Sequence, residues 1–145
     1  MVKLHNITKD NWFECTQLEI TDEQKKFFPA APVYWLAECR YMNNWYEYAI
    51  YNDDKMIGFT VFGFDEDLNE YEICAFMIDK KYQGNGYGKD ALNQLLDIIK
   101  TTHNRNKVYI FNYEGNFIAS KFYESSGFFD TGERFNGKII RCKDL

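Results

Sequence analysis

Two hydrophobic rhythms divide the chain, a period near two that marks strands and a period near 3.6 that marks amphipathic helices. Val2–Thr8 alternates weakly and reads as an edge strand. Thr8 is placed to cap a helix whose apolar side uses Trp12, Cys15 and Leu18. Pro29 and Pro32 interrupt the next stretch, and Pro32 suits the first turn of a second helix carrying Val33, Leu36, Ala37 and Tyr41. Glu47–Asn52 and Met56–Phe64 are strands flanking a turn at Asn52-Asp53-Asp54-Lys55. After a second turn at Asp65–Asn69, Glu70–Ile78 is the fourth strand. Tyr87–Thr102 then puts Leu92, Leu95, Leu96 and Ile99 on one helical face. Lys107–Asn112 is a strand, and Asn116–Ser126 is a helix ended by Gly127. Phe128–Phe135 and Lys138–Lys143 form a last hairpin across Asn136-Gly137. The order β-α-α-β-β-β-α-β-α-β-β describes one α/β domain over residues 1–145, without linkers, repeats or low-complexity tracts.

The junction between the fourth strand and the long helix carries the chemistry. Gln83-Gly84-Asn85-Gly86-Tyr87-Gly88-Lys89 places three glycines at alternate positions just before the helix begins. Glycine lets the backbone approach a ligand closely, and the first N–H groups of a helix have no partner of their own. A pyrophosphate fits such a site. The loop is not a Walker sequence, because Gly88-Lys89 is followed by Asp90 rather than Ser or Thr. It is not a dinucleotide fingerprint either, because the glycine spacing differs and no second βαβ unit follows.

What remains is Gln83-x-x-Gly86-x-Gly88 after a strand ending Met77-Ile78-Asp79. This resembles the acyl-CoA pyrophosphate loop of the GNAT N-acetyltransferases, Arg/Gln-x-x-Gly-x-Gly/Ala. Downstream, Asn116-Phe117-Ile118-Ala119-Ser120-Lys121-Phe122-Tyr123-Glu124-Ser125-Ser126-Gly127-Phe128 is similar to that family's Asn-x-x-Ala-x-x-Phe/Leu-Tyr-x-x-x-Gly-Phe motif. The resemblance covers nearly the whole chain and is loosest over residues 7–45. It implies the GNAT fold, a mixed central sheet of about six to seven strands flanked by about four helices. It also implies an N-acetyltransferase using acetyl-CoA as co-substrate, with no metal.

The resemblance assigns roles residue by residue. Backbone N–H groups of Gln83, Gly84, Asn85, Gly86, Tyr87 and Gly88, with the helix dipole, would hold the pyrophosphate, and Lys89 would add charge or stand solvated. Ile78, beside Met77, would offer a free N–H to the thioester carbonyl where the neighbouring strand splays away. An oxyanion donor of this kind is typically worth about 3 kcal/mol. Asn116 would hold the pantetheine arm, cap its helix, or both. Tyr123 occupies the position of the family's acid near the cofactor sulfur, with a core aromatic as the bland alternative. The base is less fixed. Counting by twos from Ile78 puts Phe76, Cys74 and Glu72 on one strand face. Glu72 matches one of the family's positions for a glutamate base, while Cys74 stands at the other; Glu70 is a further candidate. An alkylamine has a pKa near ~10.4, so a base acting through water is expected.

Composition narrows the rest. An apolar fraction of 46% excludes a disordered chain. No apolar run approaches a membrane span and no signal-peptide core is seen, so a cytoplasmic protein is expected. Cys15, Cys39, Cys74 and Cys142 lack metal-ligand spacing and read as free thiols. His5 and His103 read as structural, His103 as a cation favoured near a helix C-terminus. The net charge of −5 with no basic run argues against nucleic acid. A homodimer is left open.

The resemblance implies a small-molecule amine as partner. Glu19, Asp22, Glu23, Glu38, Asp65, Glu66, Asp67 and Glu70 are interspersed with Phe27, Phe28, Tyr34, Trp35, Phe64 and Tyr71. Carboxylates bind ammonium groups, and rings pack methylenes and hold cations. Gln24-Lys25-Lys26-Phe27, Tyr34-x-x-Ala37-Glu38, Gly63-Phe64-Asp65-Glu66-Asp67 and Phe76–Gly84 look like stretches of bacterial spermine/spermidine acetyltransferases. That resemblance implies a polyamine acceptor. The alternatives are another amine (amino acid, antibiotic or protein N-terminus) or a catalytically silent acyl-CoA-binding module.

Overall fold

The computed structural model describes all residues from Met1 to Leu145. Seven strands form one mixed sheet in the order β1-β2-β3-β4-β5-β7-β6. They are β1 Val2–Asn6, β2 Trp45–Asn52, β3 Lys55–Asp65, β4 Glu70–Ile78, β5 Lys107–Tyr113, β6 Phe129–Phe135 and β7 Lys138–Asp144. The helices are α1 Trp12–Thr16, α2 Asp22–Lys25, α3 Pro32–Cys39, α4 Tyr87–Thr101 and α5 Phe117–Ser125. All neighbours pair antiparallel except β4 and β5. The last hairpin folds back so that β7, not β6, lies against β5.

The sheet separates two apolar layers. On one face, Cys15, Leu18 and Leu36 from the α1 to α3 region pack on Ala49, Phe59, Val61, Ala75 and Met77. On the other, Leu92, Leu95, Leu96 and Ile99 of α4 pack on Phe62, Ile73, Val108, Ile110 and Phe128. The spacing of the α4 residues generates this stripe, and Asp90 and Lys100 sit at the ends that the helix dipole favours.

The early helices depart from the periodicity. α1 ends at Thr16, and Asn11 rather than Thr8 precedes it. The Thr8 carbonyl accepts the Trp12 N–H at 3.0 Å, so Thr8 serves through its backbone. Trp12 is 47% exposed, whereas Cys15 and Leu18 are buried. α3 turns a different side inward from the one expected: Pro32 and Leu36 are buried while Val33, Ala37 and Tyr41 face solvent. Trp35 and Cys39 join Leu36 against the sheet. Pro32 fixes where the helix starts, and the bulk of Trp35 outweighs the small apolar residues in choosing its face. α2 is an additional short helix, held by a capping box in which Thr21 and Gln24 bond each other's backbone N–H.

α4 is the keystone of the second layer. Leu95→Ala should destabilise the protein by about 2–5 kcal/mol through lost burial and a residual cavity, measured by urea unfolding.

Candidate active site

β4 is paired on both sides at its start and on one side at its end. β5 bonds it only around Glu72↔Tyr109 and Ile73↔Ile110, and the two parallel strands then diverge. A wedge opens between their C-terminal ends, the place where open α/β sheets bind ligands. Phe122 of α5 stacks on Phe76 of β4 with ring centroids 6.2 Å apart, packing the helix-side face.

Along β3 the ladder stays intact to the end of β4. The Asp79 N–H donates to the Ile57 carbonyl at 2.7 Å. Antiparallel bonds alternate, so the adjacent pair Gly58↔Ile78 is the non-hydrogen-bonded one. The Ile78 N–H therefore points away from β3 into the wedge. The Ile78 carbonyl accepts from Gln83 Nε2 at 2.9 Å.

The glycine loop begins on the same strand end. The Asp79 carboxylate, buried, accepts the Glu19 N–H at 2.8 Å and the Lys81 N–H at 2.9 Å. Gly84 and Gly86 adopt left-handed φ of 79° and 81°, and a Cβ on either would meet no protein atom within 4 Å. No acceptor in the protein takes the N–H groups of Gln83, Gly84, Asn85, Gly86, Tyr87 or Gly88. Asn85 Nδ2 braces the loop by donating to the Tyr82 and Gln83 carbonyls at 3.1 and 3.2 Å. A Cβ on Gly88 would make only ordinary van der Waals contact with Ile78 and Phe122, at 3.6 Å. A cradle of free N–H groups at the start of a 15-residue helix suits a pyrophosphate. The Lys89 side chain is exposed, and the Tyr87 hydroxyl turns away to accept from Asn52 Nδ2 at 3.3 Å.

Asn116 caps α5, its Oδ1 accepting the Ala119 N–H at 3.2 Å. Tyr123, one turn from Gly127, packs on Phe122 and Phe128, and its hydroxyl bonds no protein group. Burial alone raises its pKa, so the phenol stays protonated. Sequence reasoning missed the anchor of this helix. Arg141 is 2% exposed; its Nε donates to Asn112 Oδ1 at 2.8 Å and its Nη2 lies 3.2 Å from Glu124. Asn112 Nδ2 in turn donates to Ser120 Oγ at 2.9 Å. The network fixes α5, and Tyr123 with it, against β5 and β7.

A bulge changes the reading of β4. Val61 lies opposite Ala75 while Phe62 lies opposite Ile73, so Cys74 is the extra residue. The alternation slips there. Phe76 and Ile78 face α4, whereas Cys74 joins Ala75 and Met77 under α1 and α3. Counting by twos therefore fails across the bulge, and Glu72 and Ile78 do not share a face. Six residues at about 3.3 Å each also separate them, roughly 20 Å, so Glu72 does not touch a group bound at the Ile78 N–H. Burial, then Asp65, raises the Glu72 pKa from an ordinary 4.5 to about 8. Glu70 is committed elsewhere, its Oε1 accepting Arg105 Nε at 2.7 Å.

The acidic face is smaller than the sequence suggests. Glu19 pairs with Lys80 at 2.6 Å and Asp22 with Lys25 at 3.3 Å. Glu47, absent from the expected set, has a side chain only 8% exposed and lies 2.6 Å from Arg40. Its neighbours on the same face of β2 are Trp45, Ala49 and Tyr51. Burial raises its pKa against the opposing pull of Arg40. A lone Glu inside Trp45-Tyr46-Glu47-Tyr48, on the inward register, was the available signal. Trp35, stacked on Phe28 at 5.7 Å, packs against the same apolar layer. His103 is no solvated cation: it packs among Tyr46, Phe62 and Tyr71, its Nδ1 lies 3.2 Å from the Tyr71 hydroxyl, and burial lowers its pKa.

A splayed β4, a free N–H at its end, and a glycine cradle opening α4 are the layout of an α/β acyltransferase that takes its acyl group from an acyl-CoA. The chain belongs to the Acetyltransferase (GNAT) family, whose model matches residues 3–128. A spermine/spermidine N(1)-acetyltransferase of Bacillus subtilis (strain 168) is 26% identical over 151 aligned positions, covering 99% of each protein. Among solved structures, a putative streptothricin acetyltransferase from Bacillus anthracis in complex with acetyl coenzyme A is 26% identical with a TM-score of 0.64, over 75% of this chain and 67% of that one. The spermidine N-acetyltransferase of Vibrio cholerae, in complex with CoA and spermine, has a TM-score of 0.76 at 18% identity over 99% and 94%. No helix is long and apolar enough to cross a membrane.

The raised pKa of Glu72 predicts a pH-dependent stability. Its folded value of about 8 lies above the ordinary 4.5. The folded state therefore binds the extra proton between those values, and Glu72 lowers stability as pH rises through that window. Glu72→Gln should leave the melting temperature near that of wild type at pH 4.5 and raise it relative to wild type at pH 9. Equal differences at both pH values would contradict the assignment.

Proposed function

We infer that this protein transfers the acetyl group of acetyl-CoA to a primary amine by direct attack, and that the amine is a polyamine such as spermidine or spermine. The observation that supports the cofactor most strongly is the run of unbonded N–H groups from Gln83 to Gly88, with open space beside Gly84 and Gly86. Acetyl-CoA would supply the activated thioester. The Ile78 N–H is aimed to hold the carbonyl oxygen as negative charge develops. The Tyr123 phenol, kept protonated by burial, is the group available to donate to the departing thiolate.

Glu72 remains the candidate proton acceptor on its pKa, and at its distance from Ile78 it would act only through a chain of several waters. A base with a pKa of about 8 is well matched to neutral or mildly alkaline solution. Two features support a polycationic acceptor: the Asp65–Glu72 pair, and the rings of Trp35 and Phe28 packed against the apolar layer under α1 and α3. The relative from Bacillus subtilis named for spermine and spermidine supports the same reading. The streptothricin-named neighbour supports a second reading, an antibiotic amine, at the same identity over a smaller share of the chain. Cytoplasmic action fits the free thiols Cys15, Cys39, Cys74 and Cys142.

Spermidine and spermine should outperform monoamines and streptothricin in a thiol-release assay with acetyl-CoA, and the advantage should shrink with salt. Glu72→Gln should lower the rate most near neutral pH, with partial rescue in alkaline buffer. No polyamine advantage at low salt would exclude that acceptor while leaving the acetyltransferase intact.

Tyr123→Phe removes only the hydroxyl. It should lower turnover on the order of 10²-fold, with acetyl-CoA affinity nearly unchanged. A wild-type rate across the pH range would show that Tyr123 is merely core.

A further inference from the structure

The loop that cradles the pyrophosphate does not stand alone. Gln83, its first residue, makes three side-chain hydrogen bonds. Its Nε2 donates to the Ile78 carbonyl and to Gln24 Oε1, each at 2.9 Å, and its Oε1 accepts from Gln24 Nε2 at 3.2 Å. Both amide orientations are fixed by their outer partners. The Ile78 carbonyl can only accept, so it faces Gln83 Nε2. The Thr21 N–H can only donate, and it lies 3.1 Å from Gln24 Oε1. The two side chains thus meet as a reciprocal amide pair, although 59 positions separate them.

Gln24 also belongs to a rigid turn. Its carbonyl accepts the Phe27 and Phe28 N–H groups at 3.0 and 2.9 Å. Phe27 reaches the other side of the wedge, where its ring lies 6.1 Å from that of Tyr113, at the end of β5. A Cβ on Gly115 would touch the same ring at 3.7 Å. Residues 21–28 therefore form a strap across the gap between the diverging strands. Gln24 fastens it to the β4 side and Phe27 rests on the β5 side.

We propose that Gln24 is a positioning residue for the cofactor: through the Gln83 amide it holds the phosphate loop and the Ile78 backbone in their binding geometry. This rests on the reading that Gln83–Gly88 receive the pyrophosphate. The Gln83 amide cannot itself face the phosphate, because both of its donors and its oxygen are already engaged. Losing Gln24 frees one donor and the oxygen of Gln83 and lets the side chain leave the Ile78 carbonyl. The loop then orders only on binding, at a cost in affinity.

The test is a double-mutant cycle with coenzyme A as the probe, read by calorimetry. The variants are Gln24→Met, which keeps length and helix propensity without an amide, Gln83→Ala, and the two combined. Gln24→Met should weaken coenzyme A about fivefold, the scale of one net hydrogen bond. The combined variant should bind no more weakly than Gln83→Ala alone, because both act through one clasp. Because Gln24→Met also removes half of the α2 capping box, Thr21→Val is the control: it loses the other half and keeps the Gln24 amide, so its urea midpoint should fall as far while its coenzyme A affinity stays near wild type. Unchanged affinity in Gln24→Met, additive losses in the combined variant, or an equal loss of affinity in Thr21→Val would each overturn the proposal. If wild type itself fails to bind coenzyme A, the cradle reading falls and this inference with it. If wild type binds and the cycle is additive, only the role of Gln24 is wrong.

Discussion

The unpaired edge of β4 beyond Ile73 is the constraint on which the rest of the molecule depends. Backbone N–H and C=O groups left without partners are unfavourable unless water or a ligand takes them. β4 stays in place because β3 pairs with it along its full length, through Gly58↔Ile78 and on to the Asp79 N–H. The wedge is kept open from the α5 side by Phe122 against Phe76, and on the other side residues 21–28 bridge the two strand ends. The free N–H at Ile78 follows from this divergence, and the helix start beside it adds the unpartnered N–H groups every helix has.

Electrostatics adds a second theme. The face under α1 and α3 is apolar, yet it holds the carboxylates of Glu47 and Glu72. Both have pKa values raised by burial, one opposed by Arg40 and the other reinforced by Asp65. Burying charge costs stability unless it is paired, so such groups are concentrated where chemistry or recognition uses them. Elsewhere the acidic residues are ordinary surface partners, as with Glu19 and Lys80. The net charge of −5 is therefore a poor guide to the site, because the carboxylates that matter are the sheltered ones.

The two helices that open at the wedge are fixed by different means. α4 is held by its apolar stripe, whereas α5 has no fully buried residue and depends on the Arg141–Asn112–Ser120 and Arg141–Glu124 contacts. A buried guanidinium on β7 thus sets the position of a phenol on α5. The order β5-β7-β6 makes this possible, because β7 lies beside β5 and below the helix.

The strands, the long helix, the glycine-rich turn before it and the cap at Asn116 are legible along the chain. Those features are local: alternation, a 3.6-residue stripe, glycines where φ is positive, and an Asn before a helix each act over a few residues. A family motif also places Ile78 at the strand end. Which faces those elements show depends on long-range packing. The bulge at Cys74 arises from two residues on β4 competing for one partner on β3, and it moved Glu72 off the face of Ile78. The side of α3 turned inward was chosen by Trp35 and the start at Pro32, and the sheltering of Glu47, paired with Arg40 in an apolar layer, came from its neighbours across the sheet. The Gln24–Gln83 clasp joins residues that only the closed sheet brings together. Long-range pairing creates such sites, and no window of sequence contains both halves of a contact.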